Sequence, residues 1–133
     1  MIRALLWLAM AAPLAAQEHA VDEKLTRCLD APEGVSTHGQ RQCFATALED
    51  WDRALNLVWG DLLDTLPNAS HAALRSAQRE WLKFRDAEFK AIAASYGAME
   101  GTMYQVMADA AAVRVVADRV KQLEALRDAQ QEP

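Results

Sequence analysis

Six polar residues stand at spacings that can bring them together: Asp52, Asn56, Gln78, Arg85, Asp86 and Arg119. Asp52 and Asn56 are four apart and share a helix face. Gln78 and Arg85, seven apart, nearly share one, whereas Asp86 points about 100° away from Arg85. Carboxylates, amides and guanidinium groups placed beside apolar positions have two uses. Acid–base chemistry is one, and it needs a pocket and a poised pair of groups. The other is a partly buried polar network that fixes helix register, because buried polar groups must find partners. No poised pair is legible here, so the structural network is the expected role.

Other chemistry-bearing residues are sparse. His19, His38 and His71 lack metal-ligand spacing. Met99, Met103 and Met107 recur every four residues. That repeat suits a thioether surface for copper or, as expected here, a flexible core stripe. The chain holds no Gly-rich phosphate loop, G-x-S-x-G, H-E-x-x-H or C-x-x-C motif. With no nucleophile in view, neither an enzyme nor a cofactor or metal site is expected.

The elements that must carry these residues are helical. Ala20 to Leu29 reads as a short helix, and Asp30 to Gly39, with one Pro and two Gly, as a loop. From about Gln40 to Leu66, Phe44, Leu48, Trp51, Leu55, Val58 and Leu62 follow the 4-3 spacing of a core stripe. Pro67 stops that helix, and Asn68 or Ser70 is a candidate cap for the next. This cap role also explains Asn68-Ala-Ser70 better than its match to a glycosylation pattern does.

The next helix runs to about Tyr96, with Leu74, Ala77, Trp81 and Phe84 on one line and Leu82, Phe89 and Tyr96 on another; Gly97 is its expected stop. After the turn Ala98–Gly101, Met103, Val106, Ala110, Val113, Ala117 and Val120 define a third long helix. The stripe then shifts to Leu123 and Leu126, and a polar tail frays from Asp128. No segment alternates like a strand. The expected fold is all-α: an antiparallel up-down-up bundle of three long helices, each about 40 Å, preceded by a short N-terminal helix. The small residues Ala108, Ala110, Ala111, Ala112 and Ala117 would let the third helix approach the aromatic-rich faces of the others. Trp51 and Trp81 are expected in the core, and Trp59 at its edge.

Arg3, the apolar stretch Ala4–Ala12 and the small residues up to Ala16 have the form of a signal peptide over residues 1–16. The stretch is short of the roughly 20 residues a membrane span needs, so a cleaved, periplasmic or secreted protein is expected, without a stable membrane anchor. Its single domain would be residues 17–133, that is 117 of the 133 residues. Removal of the leader takes away one basic residue, Arg3, and no acidic one, moving the formal charge from −5 to −6. An acidic balance disfavours nucleic acid and suits a basic partner. The acidic residues Glu49, Asp50, Asp52, Asp61 and Asp64 read mainly as a solvated helix face. In an oxidising compartment, Cys28 and Cys43 suit a disulfide better than a metal site or reactive thiol.

Cys43, then Trp51-Asp52-x-x-Leu55-Asn56-x-x-Trp59, then Ala77-Gln78-x-x-Trp81-x-x-x-Arg85-Asp86 form two ordered motifs. They resemble the secreted bacterial family named after the lysozyme inhibitor LprI, specifically its N-terminal helical domain. The likeness covers most of the chain after about residue 25. Members often carry a further cysteine pair; here Phe89 and the Ala110–Ala112 region stand at its expected positions. The resemblance implies a protein partner, with a basic lysozyme as the candidate, blocked sterically. The alternative is a non-enzymatic envelope or stress-related interaction module. Loops on a rigid scaffold usually carry contacts, which points to Asp30, Glu33, Ser36 and His38, the turn with Met99 and Glu100, and Trp59 at the stripe edge. The motif residues themselves read as scaffold.

Overall fold

The computed structural model describes residues 18–131, and the expected signal peptide lies outside them. The order is α1 (Ala20–Asp30), a 3₁₀ turn (Pro32–Val35), α2 (Thr37–Thr65), α3 (Asn68–Gly97) and α4 (Thr102–Asp128). The all-α, up-down-up architecture stands as expected. No described helix is long and apolar enough to cross a membrane.

The core is a seam between α2 and α4, which run parallel. Trp51, Leu55, Val58 and Leu62 meet Val113, Val116, Ala117, Val120 and Leu123, with Ala47 and Leu74 in the same cluster. The small residues of α4 allow the close approach that the sequence suggests, and α4 is the helix against which both α2 and α3 pack. Ion pairs mark the register of the seam at both ends. Arg41 Nε donates to Asp109 at 2.7 Å, and Arg127 reaches Asp61 at 3.4 Å. Met99, Met103 and Met107 take no part in it: all three are exposed, against the expected core stripe. Leu126 is exposed as well.

α1 lies along α2 on one side of the seam. The Cys28–Cys43 disulfide joins them with Cα atoms 5.8 Å apart. Lys24 donates to Asp50 at 2.7 Å and Lys121 to Asp22 at 2.9 Å, so α1 is tied to both seam helices. The Lys24 hydrogen bond, helped by Arg53 and opposed by burial, holds the Asp50 carboxyl below its ordinary value. Its contribution is therefore present above the ordinary carboxylate range and is lost as pH falls through the lowered value. His19 caps α1 by accepting from the Val21 N–H at 3.1 Å, and its ring lies 4.2 Å from the fully buried Trp51. The Trp51 indole N–H has no acceptor among the described residues.

Helix boundaries depart from expectation where local chemistry competes. The expected loop Asp30–Gly39 contracts, because Ser36 caps α2 by accepting from the Gly39 N–H at 3.0 Å, and α2 starts at Thr37. Neither Asn68 nor Ser70 caps α3; Pro67 occupies the cap position without a side-chain hydrogen bond, and His71 Nε2 lies 3.0 Å from the Leu66 carbonyl. α3 ends at Gly97, where the stop is expected, but without a left-handed backbone there. The glycine with left-handed backbone is Gly101, at φ 117°, opening α4.

Gly34 and Gly39 lock the first turn. A Cβ on Gly34 would fall 2.4 Å from the Leu29 carbonyl oxygen, and one on Gly39 1.5 Å from that of Glu33. Gly60, in mid-α2, has open space around it. Gly60→Ala should therefore stabilise the protein by roughly 0.5–1 kcal/mol through helix propensity. Gly39→Ala should destabilise it, since backbone must move; denaturant midpoints of the two variants check the opposite signs. The Cys28→Ser/Cys43→Ser double variant should lose about 3 kcal/mol for a loop of this length, read from the same unfolding curves.

Candidate functional site

Only Leu74 of α3 is buried among the described residues. The residues that α3 turns inward are Leu74, Gln78, Trp81, Arg85, Phe89, Ile92 and Tyr96, all buried or half-buried. Their spacing of 4-3-4-4-3-4 is a helical stripe, but two of its members are polar. The apolar residues Leu82 and Phe84 lie off it and are exposed, Phe84 at 53%, and Ala77 is exposed as well. The expectation that Ala77, Leu82 and Phe84 face the core is thus corrected. A stripe traced through apolar residues alone misses the face set by Gln78 and Arg85.

Gln78 and Arg119 join α3 to α4. The Gln78 carbonyl oxygen accepts from Arg119 Nε at 3.0 Å and from Nη2 at 2.9 Å. Partial burial lowers the Arg119 pKa from its ordinary value. The Arg119 guanidinium sits 5.8 Å from the Trp81 ring centre, and Arg85 approaches the same ring at 5.7 Å and Phe89 at 5.9 Å. Trp81 thus packs against the core while two cations cover its face. Arg85 donates to Asp86 at 3.0 and 2.8 Å. Asp52 and Asn56 are exposed on α2 and make no side-chain hydrogen bond among the described residues. The six polar residues therefore divide into an interhelical pair, a neighbouring ion pair on α3, and two unengaged side chains on α2.

Those two face α3 across an open groove of about 590 Å³. The α2 wall is Asp52, Leu55, Asn56 and Trp59; the α3 wall is Arg75, Gln78, Arg79, Leu82 and Arg85. The groove exists because α3 packs on α4 without closing along α2. A second hollow, of about 370 Å³, continues along the same face of α2 through Arg41, Phe44, Ala45 and Leu48. Asp52 is the one carboxylate in the first groove, since Asp86 turns to Arg85 outside its lining. Paired-carboxylate hydrolysis requires two.

The other expected contact residues occupy separate surfaces. Asp30 and Glu33 are exposed in the disulfide-bounded turn, Ser36 caps α2 and His38 is exposed on its first turn. Sequence reasoning passed over Val35, which stands 80% exposed at the tip of this turn. Met99 and Glu100 are exposed at the α3–α4 connection, and Trp59 is half-buried in the groove wall. No group of three or more His, Cys, Asp or Glu residues poised for a metal occurs among the described residues.

These features define a disulfide-stapled helical scaffold with a rigid acidic turn and an open, arginine-lined groove. Residues 28–123 match the family described as Lysozyme inhibitor LprI, and the chain belongs to that family. A crystal structure of an uncharacterized protein from Burkholderia thailandensis is similar, with a TM-score of 0.81 and 26% identity over 88% of this chain and 57% of that one. The chain thus spans little more than half the length of that relative. No curated protein matches it. Six of the family-like motif positions, Asp52, Leu55, Asn56, Trp59, Gln78 and Arg85, line the first groove.

If the Gln78–Arg119 contact carries α3, Gln78→Ala should cost about 1–3 kcal/mol by leaving Nε and Nη2 of the half-buried Arg119 without their acceptor. Asp86→Ala, which removes an exposed neighbouring pair, should cost under about 0.5 kcal/mol. Urea midpoints of the two variants test this order.

Proposed function

We propose that this is an exported, non-catalytic protein that inhibits a lysozyme-type muramidase by covering its cleft. Membership of the family described as Lysozyme inhibitor LprI carries this reading. The leader-like residues 1–16 support export and put the Cys28–Cys43 bridge in an oxidising compartment.

The disulfide-bounded turn is the contact surface best suited to the task. Val35 offers an exposed apolar tip, Asp30 and Glu33 add negative charge, and Gly34 and Gly39 pack so closely that the turn has little freedom to lose on binding. A formal charge of −6 after removal of the leader, against −5 for the full chain, steers the protein toward a basic enzyme, chiefly by raising the association rate. Steric blocking needs no chemistry from the inhibitor.

Residual muramidase activity on cell-wall substrate tests the reading. Inhibition should weaken as salt rises, and both reduction of the disulfide and Val35→Asp should weaken it by at least about tenfold, the equivalent of 1.4 kcal/mol. Full enzyme activity at high micromolar protein and low salt would reject lysozyme as the partner and favour an envelope interaction module.

A further inference from the structure

The groove between α2 and α3 lies on the opposite side of α2 from α1 and the disulfide. Asp50 and Cys43 face α1, whereas Asp52 is two residues, or about 200°, further round the helix than Asp50. The groove is therefore not an extension of the turn assigned above to a protein partner, and its contents need a separate account.

Its lining has unspent polar capacity on both walls. Asp52 offers carboxylate acceptors, and Asn56 offers an acceptor and donors, with no partner for either among the described residues. The Gln78 carbonyl is committed to Arg119, which fixes the amide and leaves its N–H donors for the groove. Arg75 and Arg79, four apart on one face of α3, form no ion pair among the described residues, while Arg85 already has Asp86. Two uncommitted guanidinium groups thus oppose one carboxylate, a local excess of positive charge in a chain of net charge −5. Trp59, Leu55 and Leu82 supply an apolar surface between these rims.

We infer that this groove binds a carboxylate-bearing N-acetylated sugar, the chemistry of a muramyl unit. Its acid group would lie between Arg75 and Arg79, where forked donors suit a carboxylate. Its hydroxyl and acetamido groups would meet Asp52, Asn56 and Gln78, and its C–H face the Trp59 side. A volume of about 590 Å³ falls within the range of small-molecule sites and is ample for a disaccharide. A nucleic acid would also satisfy the arginines, but the acidic chain as a whole repels a polyanion. This inference stands independently of muramidase inhibition.

The test is calorimetric titration of the purified protein, with backbone amide NMR shifts to place the site. The probes are the disaccharide of N-acetylglucosamine and N-acetylmuramic acid, uncharged di-N-acetylchitobiose, and a short single-stranded oligonucleotide. The acidic disaccharide should bind saturably and shift amides of Asp52–Trp59 and Arg75–Arg85, with chitobiose weaker by at least about tenfold. Arg75→Ala/Arg79→Ala, both on exposed positions, should weaken binding by about tenfold or more at unchanged melting temperature. Trp59→Ala should weaken binding as much but also lower the melting temperature, because Trp59 packs partly against the core. Equal binding of both sugars, tighter binding of the oligonucleotide, indifference to the arginine pair, or no saturable shifts at millimolar sugar would each overturn the assignment.

Discussion

The parallel seam between α2 and α4 is the constraint from which everything else follows. Trp51, Val58, Leu62, Val116 and Val120 are almost completely removed from water there. Burying one such side chain contributes roughly 1.5–3 kcal/mol, so these few positions outweigh any surface pair in the molecule. The remaining helices are attached to this seam by different means. α1 has no buried residue of its own and is held by a disulfide, by lysine–carboxylate contacts and by the partly buried Val21 and Leu25 against the core. α3 has one buried residue and is held through half-buried aromatics and the Gln78–Arg119 hydrogen bonds.

That difference explains why the bundle stays open on one side. A fully closed three-helix core would press Gln78 and Arg85 of α3 against the Asp52 and Asn56 side of α2. Burial of so many polar groups without full pairing costs several kcal/mol. Resting α3 mainly on α4 satisfies Gln78 with Arg119 and lets Asp52 and Asn56 remain hydrated. The groove is the physical result: polar residues placed on an inward stripe keep two helices apart.

The helical class and the apolar stripes of α2 and α4 were legible in the sequence at 3.6-residue spacing, but not that those two stripes meet in one seam. The disulfide followed from an even cysteine pair beside an export-like leader. What escaped was the orientation of α3. Phe84 and Leu82 form convincing apolar lines, and only the fold reveals that the inward line runs through Gln78 and Arg85. The exposed methionines of the α3–α4 connection and α4 misled for the same reason, since hydrophobicity does not specify which face finds a partner. Helix ends were missed where a nearby group outcompeted the obvious cap. Ser36 took the N-terminus of α2 from the expected loop, and Pro67 displaced Asn68 and Ser70.

The motif residues divide between buried scaffold, such as Cys43, Trp51 and Leu55, and exposed polar positions on the groove. A Trp at position 51 is explained by burial alone, and so is much of the aliphatic stripe. Burial does not explain Asp52 and Asn56, which are exposed and make no side-chain hydrogen bond among the described residues. An exposed polar side chain costs little to replace, so its chemistry gains meaning only through something outside the fold. The same holds for the Arg75 and Arg79 pair across the groove. The molecule therefore separates two kinds of surface on one rigid frame. The stapled turn, closed around glycines and tipped by an exposed Val35, is the surface proposed above for a macromolecular contact. The groove, bounded by mixed donors and acceptors about an aromatic edge, has the chemistry of small-molecule recognition. Because α2 carries one surface on each side and is itself fixed by the seam, occupation of either need not disturb the other.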